Sequence, residues 1–151
     1  FFDDQFYWDT PNYSEVIHYK GNSNLTNLIN NLNRDSARGE LAPHQIILLA
    51  ALNRLYKINA SKQINFKDLL DQFNSIWKSN QIKFKTTNNN LGMPLKAFLN
   101  EELIIIEMIS SVKDFRNHKE LENSIVSITL SKVLIELLTN KLSEKEILIY
   151  L

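Results

Sequence analysis

The sequence contains no cysteine, only three glycines and only three prolines. The lack of cysteine excludes a disulfide scaffold, a thiolate zinc site and a catalytic thiol. Three scattered glycines form neither a GxxxxGK[ST] nor a GxGxxG phosphate loop. No apolar run approaches the roughly 20 residues that span a bilayer, and no signal-peptide pattern follows Phe1. We therefore expect a cytoplasmic protein without a membrane partner, and Phe1 in place of Met predicts a processed product or a fragment.

The formal net charge is zero, which at first argues against a polyanionic partner. The charges are unevenly distributed along the 151 residues, however. Residues 1–15 contain four acidic and no basic residues, which gives −4. Residues 16–100 contain eleven basic and four acidic residues, which gives +7, and residues 101–151 contain six and nine, which gives −3. A basic middle segment can present a positive face to a polyanion such as nucleic acid.

Apolar periodicity predicts three helices in the first half of the chain. Leucine and isoleucine recur at helical spacing over residues 24–32. Residues 42–57 predict a helix with Pro43 in its first position, and the stretch from Ile46 to Leu52 is apolar all round, which is typical of a central, buried helix. Asn65 can cap a third helix with a single apolar stripe.

The second half predicts a small sheet followed by helices. Residues 93–109 are interpreted as two short extended runs, of which 103–106 is an apolar, β-branched buried strand. Residues 117–151 have a helical pattern, and Ser143 with Glu146 forms a capping box. The predicted fold is mostly α with a small two- or three-stranded sheet (α+β), a compact helical domain.

Catalytic groups are scarce. His18, His44 and His118 are far apart in sequence and have no metal-site spacing with carboxylates. No GxSxG motif occurs. The pairs Glu101–Glu102 and Asp68–Asp71 are explained by solvated turns or helix faces. We expect no enzyme activity within this chain, no metal and no cofactor.

His44 lies in the first turn of the predicted central helix, where unpaired N–H groups and the positive helix end attract anions. Arg38 lies one loop earlier, so the two residues could hold a backbone phosphate. The alternative is that His44 packs against a neighbouring loop and Arg38 is solvated.

Residues 80–92 form the longest predicted loop, which is polar and rich in asparagine. Lys83, Lys85 and Lys96 in and after it would give salt-dependent affinity for phosphates. The asparagines at 88–90 could read base edges. The alternative is an ordinary solvated loop in a chain rich in asparagine and lysine.

Residues 1–20 are aromatic and acidic. The aromatic rings could stack on bases, but the acidic side chains would repel phosphates. We interpret the segment as an N-terminal arm, or the end of a preceding domain, that packs on its own domain or docks on a partner domain or subunit. The main domain is then 21–151.

Three segments in this order resemble a known family: RGELAPHQIILLAALNRL, INFKDLLDQFNSIW and MPLKAFLNEELIIIE. They resemble the sulfur-binding domain that accompanies HNH nuclease domains in prokaryotic phosphorothioate-dependent restriction enzymes. The resemblance covers roughly residues 21–151. It implies a recognition module for double-stranded DNA, phosphorothioated in its backbone, in a restriction-modification or antiviral-defence system, with any nuclease in another domain.

The resemblance also implies a site. In the family a proline ring, a neighbouring aromatic residue and a small residue form an apolar pocket for sulfur, and the matching residues include Pro94 and Ala97. The family histidine at the helix start corresponds to His44. An apolar wall selects sulfur because burying a charged phosphate oxygen without hydrogen bonds is costly. The complete candidate nucleic-acid-binding set is Arg38, His44, Lys83, Lys85, Met93, Pro94, Lys96 and Ala97.

Three positions depart from the family pattern: Met93 replaces a tyrosine, Gln45 replaces a lysine, and Ile104 lies near a usual aromatic position. The alternatives of unmodified DNA, another modification or no binding by this surface therefore stay open. The site predicts that Pro94 and His44 are partly exposed and close together. The competing hypothesis is a non-catalytic protein-interaction or scaffold domain of a multicomponent defence or regulatory system, marked by an exposed apolar patch or a dimer.

Overall fold

A helix that is apolar on almost every side, α1 (His44–Asn59), runs through the centre of the structure. The structure is a computed structural model that describes residues 42–139 and 143–151. Every residue from Ile46 to Leu52 is fully buried, because a helix without a polar face must be covered on all sides. Ala60 ends the helix in the left-handed region at φ 51°, and its N–H donates to the Tyr56 carbonyl. The predicted central helix is confirmed.

The second helix, α2 (Phe66–Asn80), begins where the sequence predicts it. The Asn65 side chain accepts hydrogen bonds from the N–H groups of Lys67 at 2.8 Å and Asp68 at 3.2 Å. Its buried stripe packs against α1 and consists of Phe66, Leu69, Phe73, Ile76 and Trp77. A short 3₁₀ turn, Gln81–Lys83, follows directly.

The third helix, α3 (Gly92–Asn100), corrects the sequence interpretation of this segment as extended. Pro94 occupies the first turn, where its missing N–H removes no intrahelical bond, so proline does not oppose the helix here. Leu95 donates its N–H to the Leu91 carbonyl at 3.1 Å. The helix ends in a turn in which Glu102 has a left-handed φ of 61°, and this turn is where the sequence predicts one.

A three-stranded antiparallel sheet covers one side of the helices. Its strands are β1 (Gln63–Ile64), β2 (Ile104–Met108) and β3 (Ile125–Leu130), in the order β1-β3-β2. Ile128 pairs with Ile64 on one side and with Ile106 on the other. Alternate residues of the sheet face the core, which buries Ile64, Ile104, Ile128 and Leu130.

The sequence predicts a helical pattern over residues 117–151. The structure differs, because a strand interrupts the helices in this part of the chain. The helix α4 (His118–Ser124) leads directly into β3. The β-branched residues of IVSITL alternate between core and surface, which favours a strand. Two helices follow, α5 (Lys132–Thr139) and α6 (Glu144–Leu148), and the predicted capping box of Ser143 and Glu146 is present.

The side chain of Arg54 forms hydrogen bonds that connect three helices. Its guanidinium donates to both carboxylate oxygens of Glu144, at 2.8 and 2.7 Å, and to Gln72 Oε1 at 3.0 Å. These bonds join α1 to α6 and α2. The hydrogen bonds with Glu144 raise the pKa of Arg54 above its usual value although burial opposes the charge.

The described residues belong to one compact unit, and the predicted α+β class is confirmed. No helix within 42–139 and 143–151 has the length and apolar character to cross a bilayer. The predicted arm of residues 1–20, the predicted helix over 24–32 and Arg38 lie outside the described residues.

Candidate nucleic-acid interface

The asparagine-rich segment after α2 is anchored at its start by aromatic contacts. The rings of Phe84 and Trp77 meet edge to face with centroids 4.7 Å apart, and the His44 ring lies 5.0 Å from Trp77. His44 Nε2 also contacts the Asn88 carbonyl oxygen. Because a carbonyl only accepts, Nε2 must carry a proton and donate it. His44 therefore packs against the loop, which is the alternative that the sequence left open for it.

The asparagine side chains shape the loop itself. Asn90 donates its N–H to Asn88 Oδ1 at 3.1 Å, and Gly92 donates its N–H to Asn90 Oδ1 at 2.9 Å. Asn88 in turn donates its N–H to the Thr86 hydroxyl oxygen at 3.3 Å. These are local turns of the kind that asparagine favours. The side-chain oxygens of Asn88 and Asn90 are thus engaged, which argues against base reading by them.

His118 fixes the end of the loop. Its Nε2 accepts a hydrogen bond from the Leu91 N–H at 3.0 Å, and its ring meets Phe66 edge to face, 6.4 Å between centroids. An accepting nitrogen carries no proton, so the ring is neutral and its proton is on Nδ1. Burial lowers the pKa of His118, which favours this neutral form.

The start of α3 is locked against the segment that precedes α4. Asn90 Nδ2 donates to the Arg116 carbonyl at 2.7 Å. Gly92 lies so close to the Phe115 carbonyl that a Cβ at this position would overlap the oxygen. Lys96 places its ammonium 5.6 Å from the centre of the Phe115 ring. Three residues of the candidate segment thus contact residues about 20 positions later in the chain.

The two faces of α3 differ sharply, and they separate the predicted pocket residues. Pro94 is buried together with Leu95 and Phe98. The prediction that Pro94 is partly exposed is therefore wrong, because a helical rather than extended backbone turns this proline towards the core. Met93 is 40% exposed and Lys96 is exposed, while Ala97 is half-buried beside them. Met93, Lys96 and Ala97 are spaced i, i+3, i+4 and share the outer face.

The exposed lysines of this region form what we call the lysine surface: Lys83, Lys85 and Lys96, with Met93 and Ala97 beside the last. Lys83 and Lys85 flank Phe84 at the Trp77 end, whereas Lys96 lies at the Phe115 end. Between Asp71 and Glu101 the sequence has four lysines and no acidic residue. The candidate set is therefore only partly brought together.

Phe115 and His118 are the residues that sequence reasoning missed. Both contact a segment about 20 to 30 positions earlier in the chain. A contact between such distant residues leaves no pattern in the local sequence. The only available signal is Asn117, whose side chain accepts the Glu120 N–H and caps α4, which marks the segment as a structured turn.

Within the described residues, no group of three histidines and carboxylates is placed to hold a metal ion. The sequence matches no known family model, and no curated protein is significantly similar to it. Function is therefore inferred from the geometry of the lysine surface.

Proposed function

We propose that the protein is a non-catalytic DNA-binding module, which contacts the phosphate backbone through the lysine surface and serves a prokaryotic restriction or antiviral-defence system in the cytoplasm. The observation that carries this proposal is the exposure of three lysines, Lys83, Lys85 and Lys96, in a stretch of sequence free of acidic residues. Lysine ammonium groups bind phosphates without reading sequence. Cleavage of the bound DNA is assigned to a separate nuclease domain or subunit.

The loop that contains Lys85 and connects Lys83 to α3 is held in place before any DNA arrives. His44 and Trp77 anchor its start, and His118 and the Phe115 carbonyl anchor its end. A surface that is already ordered loses less conformational entropy on binding. Rigid anchoring thus supports a binding role for a loop whose own side chains are largely committed to structure.

The outer face of α3 supports recognition of a phosphorothioate. Met93 offers a soft, apolar side chain next to the cation of Lys96. Sulfur is larger and less hydrated than oxygen, so it loses less when it leaves water for an apolar surface. We assign the sulfur contact to Met93 and Ala97, while the buried Pro94 supports the helix from behind.

The lysine contacts are tested with the variants Lys83→Ala, Lys85→Ala and Lys96→Ala, alone and combined. Each should weaken binding to duplex DNA of any sequence, since phosphate contacts carry no sequence information. Lys67→Ala is the matched control, because Lys67 is an exposed lysine in the first turn of α2, about 20 Å from the other end of this helix, which Lys83 follows. Equal affinity of the triple variant and the wild type in a fluorescence-anisotropy titration would overturn the proposal.

Selectivity is tested with two duplexes that differ in a single backbone sulfur. The wild type should prefer the phosphorothioate duplex, and Met93→Ser should lose this preference while it retains binding to the plain duplex. If the wild type binds both duplexes equally and the lysine variants bind neither, the module recognises unmodified backbone and the sulfur assignment is wrong.

A further inference from the structure

Among the strands of the described residues, β2 lies at an edge of the sheet. The Ser131 N–H donates to the Leu103 carbonyl at 2.9 Å, which sets the phase of the β2–β3 ladder. Ile105 and Glu107 therefore direct their backbone groups towards β3, and Ile104 and Ile106 direct theirs outward. Among the described residues, no group bonds to the outward N–H and C=O of Ile104 and Ile106. This edge can accept one more strand.

The edge is apolar on its outer face. Ile105 is 62% exposed in the middle of β2. Ile109 is 74% exposed and Val126 is 51% exposed at the end of the same strand pair, where a bulge between Glu107 and Met108 disturbs the register. Exposed isoleucine on an unprotected edge strand is unusual, since edge strands normally carry lysine, proline or a covering segment.

The edge is also acidic. Residues 97–112 contain Glu101, Glu102 and Glu107 and no basic residue. All three glutamates are exposed, and Glu107 shares the outer face of β2 with Ile105. A strand placed beside β2 would therefore meet an apolar side chain and a carboxylate at alternate positions of one face.

We propose that the exposed edge of β2 is a docking site for an extended segment of a partner protein, in which every second residue, along one face, is in turn apolar and basic. The segment adds a strand to the sheet through the backbone groups of Ile104 and Ile106. Its apolar side chains cover Ile105, and its lysine or arginine side chains pair with Glu107 across the strands. This surface is distinct from the lysine surface, and it gives the protein-interaction hypothesis a definite location.

Charge selects this occupant over a second copy of the chain. Two copies paired through β2 would bring two sets of three glutamates to one junction, and like charges opposed across strands are destabilising. Residues 1–15 of this chain are acidic as well, with four acidic and no basic residues. A basic, extended partner segment is complementary both in backbone and in charge.

The test uses a synthetic peptide with blocked ends, VTKTVTK, whose valine and lysine side chains alternate along one face, and the matched peptide VTETVTE. NMR titration of the full chain should show saturable binding of the lysine peptide, with slowed hydrogen exchange at the Ile104 and Ile106 amides. Glu107→Lys should reduce this affinity by roughly tenfold and favour the glutamate peptide instead. Gln63→Lys is the control, since it places a lysine at the opposite edge of the sheet and should leave binding unchanged.

A second variant isolates the backbone contact. Ile106→Pro removes an outward N–H but no bond of the β2–β3 ladder, so it should abolish peptide binding in a protein that retains its melting temperature within a few degrees. The proposal is overturned if the lysine peptide does not bind, if both peptides bind equally, or if Glu107→Lys has no effect. A dimer in sedimentation equilibrium that protects the same two amides would show that the occupant is a second copy instead.

Discussion

At the residue scale, the imidazole ring of His118 fixes the junction between the asparagine-rich loop and α3. It holds the N–H of Leu91 at the junction of the loop and α3, and it can do so only while Nε2 is unprotonated. Protonation turns this acceptor into a donor that faces another donor. An unpaired buried N–H costs about 1–3 kcal/mol, so the charge state of one ring controls the order of the loop.

The pH dependence of stability follows from the lowered pKa of His118. A histidine whose folded pKa is below its unfolded value stabilises the fold above the unfolded value of 6.5, and this contribution is lost as the pH falls further. We therefore expect the free energy of unfolding, from urea titrations, to fall below about pH 6.5.

The control for His118 is His118→Gln, whose side-chain oxygen can accept from Leu91 but does not titrate in this range. The variant should lose less stability than the wild type between about pH 7 and pH 5.5, a window that follows from the ordinary histidine pKa. Parallel pH profiles for the two proteins would contradict the role assigned to His118.

Single residues were predicted unevenly from the sequence. Asn65 and Ser143 were identified as caps because capping depends on neighbours two or three positions away. The roles of His44 and Pro94 depend on partners far along the chain, Trp77 and the packed core. The sequence placed His44 correctly in the first turn of α1, but the orientation of Pro94 required the fold.

At the scale of elements, α3 depends on one close approach. Gly92 is helical and its backbone touches the Phe115 carbonyl. Alanine normally favours a helix over glycine by about 1 kcal/mol. At Gly92 the alanine methyl group would overlap the Phe115 carbonyl, which cannot rotate away as a side chain could. Alanine should therefore be less favourable than glycine at this position.

We expect Gly92→Ala to destabilise the protein by about 1–3 kcal/mol, since overpacking costs amounts of this order. Chemical denaturation measures the loss. Lys96→Ala, on the exposed face of the same helix, is the comparison and should change stability by less than about 0.5 kcal/mol. A Gly92→Ala variant as stable as the wild type would show that α3 and the segment at Phe115 can separate without cost.

The elements that the sequence predicted well are those with a self-contained pattern. The central helix α1 is apolar all round from Ile46 to Leu52, and α2 has one apolar stripe and one cap. The sequence predicts an extended segment in place of α3, because the segment leads into an apolar, β-branched run and has no capping signal. The strand β3 was hidden because it continues α4 without a turn residue, and its assignment depends on pairing with β1 and β2.

At the scale of the whole molecule, zero net charge conceals two surfaces of opposite sign. The residues between Asp71 and Glu101 include four lysines and no acidic residue, whereas residues 97–112 include three glutamates and no basic residue. A neutral protein has little long-range attraction for DNA. Binding should therefore depend on the few local lysine contacts rather than on the overall field.

This charge distribution predicts a shallow salt dependence. Three lysine–phosphate contacts correspond to a slope of about −3 in a plot of log Kobs against log salt, at about 0.9 per contact. The triple lysine variant should have a slope near zero, and Lys67→Ala should match the wild type. A slope as steep as about −6 for the wild type would show that many more cations contact DNA than the lysine surface contains.

The position of β3 in the sheet has a consequence for the order in which the chain is made. β3 is the central strand, yet it is the last of the three strands to be synthesised. Glu144, which accepts hydrogen bonds from Arg54, is synthesised later still, 90 residues after Arg54. Until residues 125–130 leave the ribosome, β2 lacks the strand β3 with which it pairs, and its isoleucines cannot pack as part of the sheet. The domain can therefore complete its fold only after Glu144 has been synthesised, and until then the apolar segment Ile104–Met108 is open to aggregation.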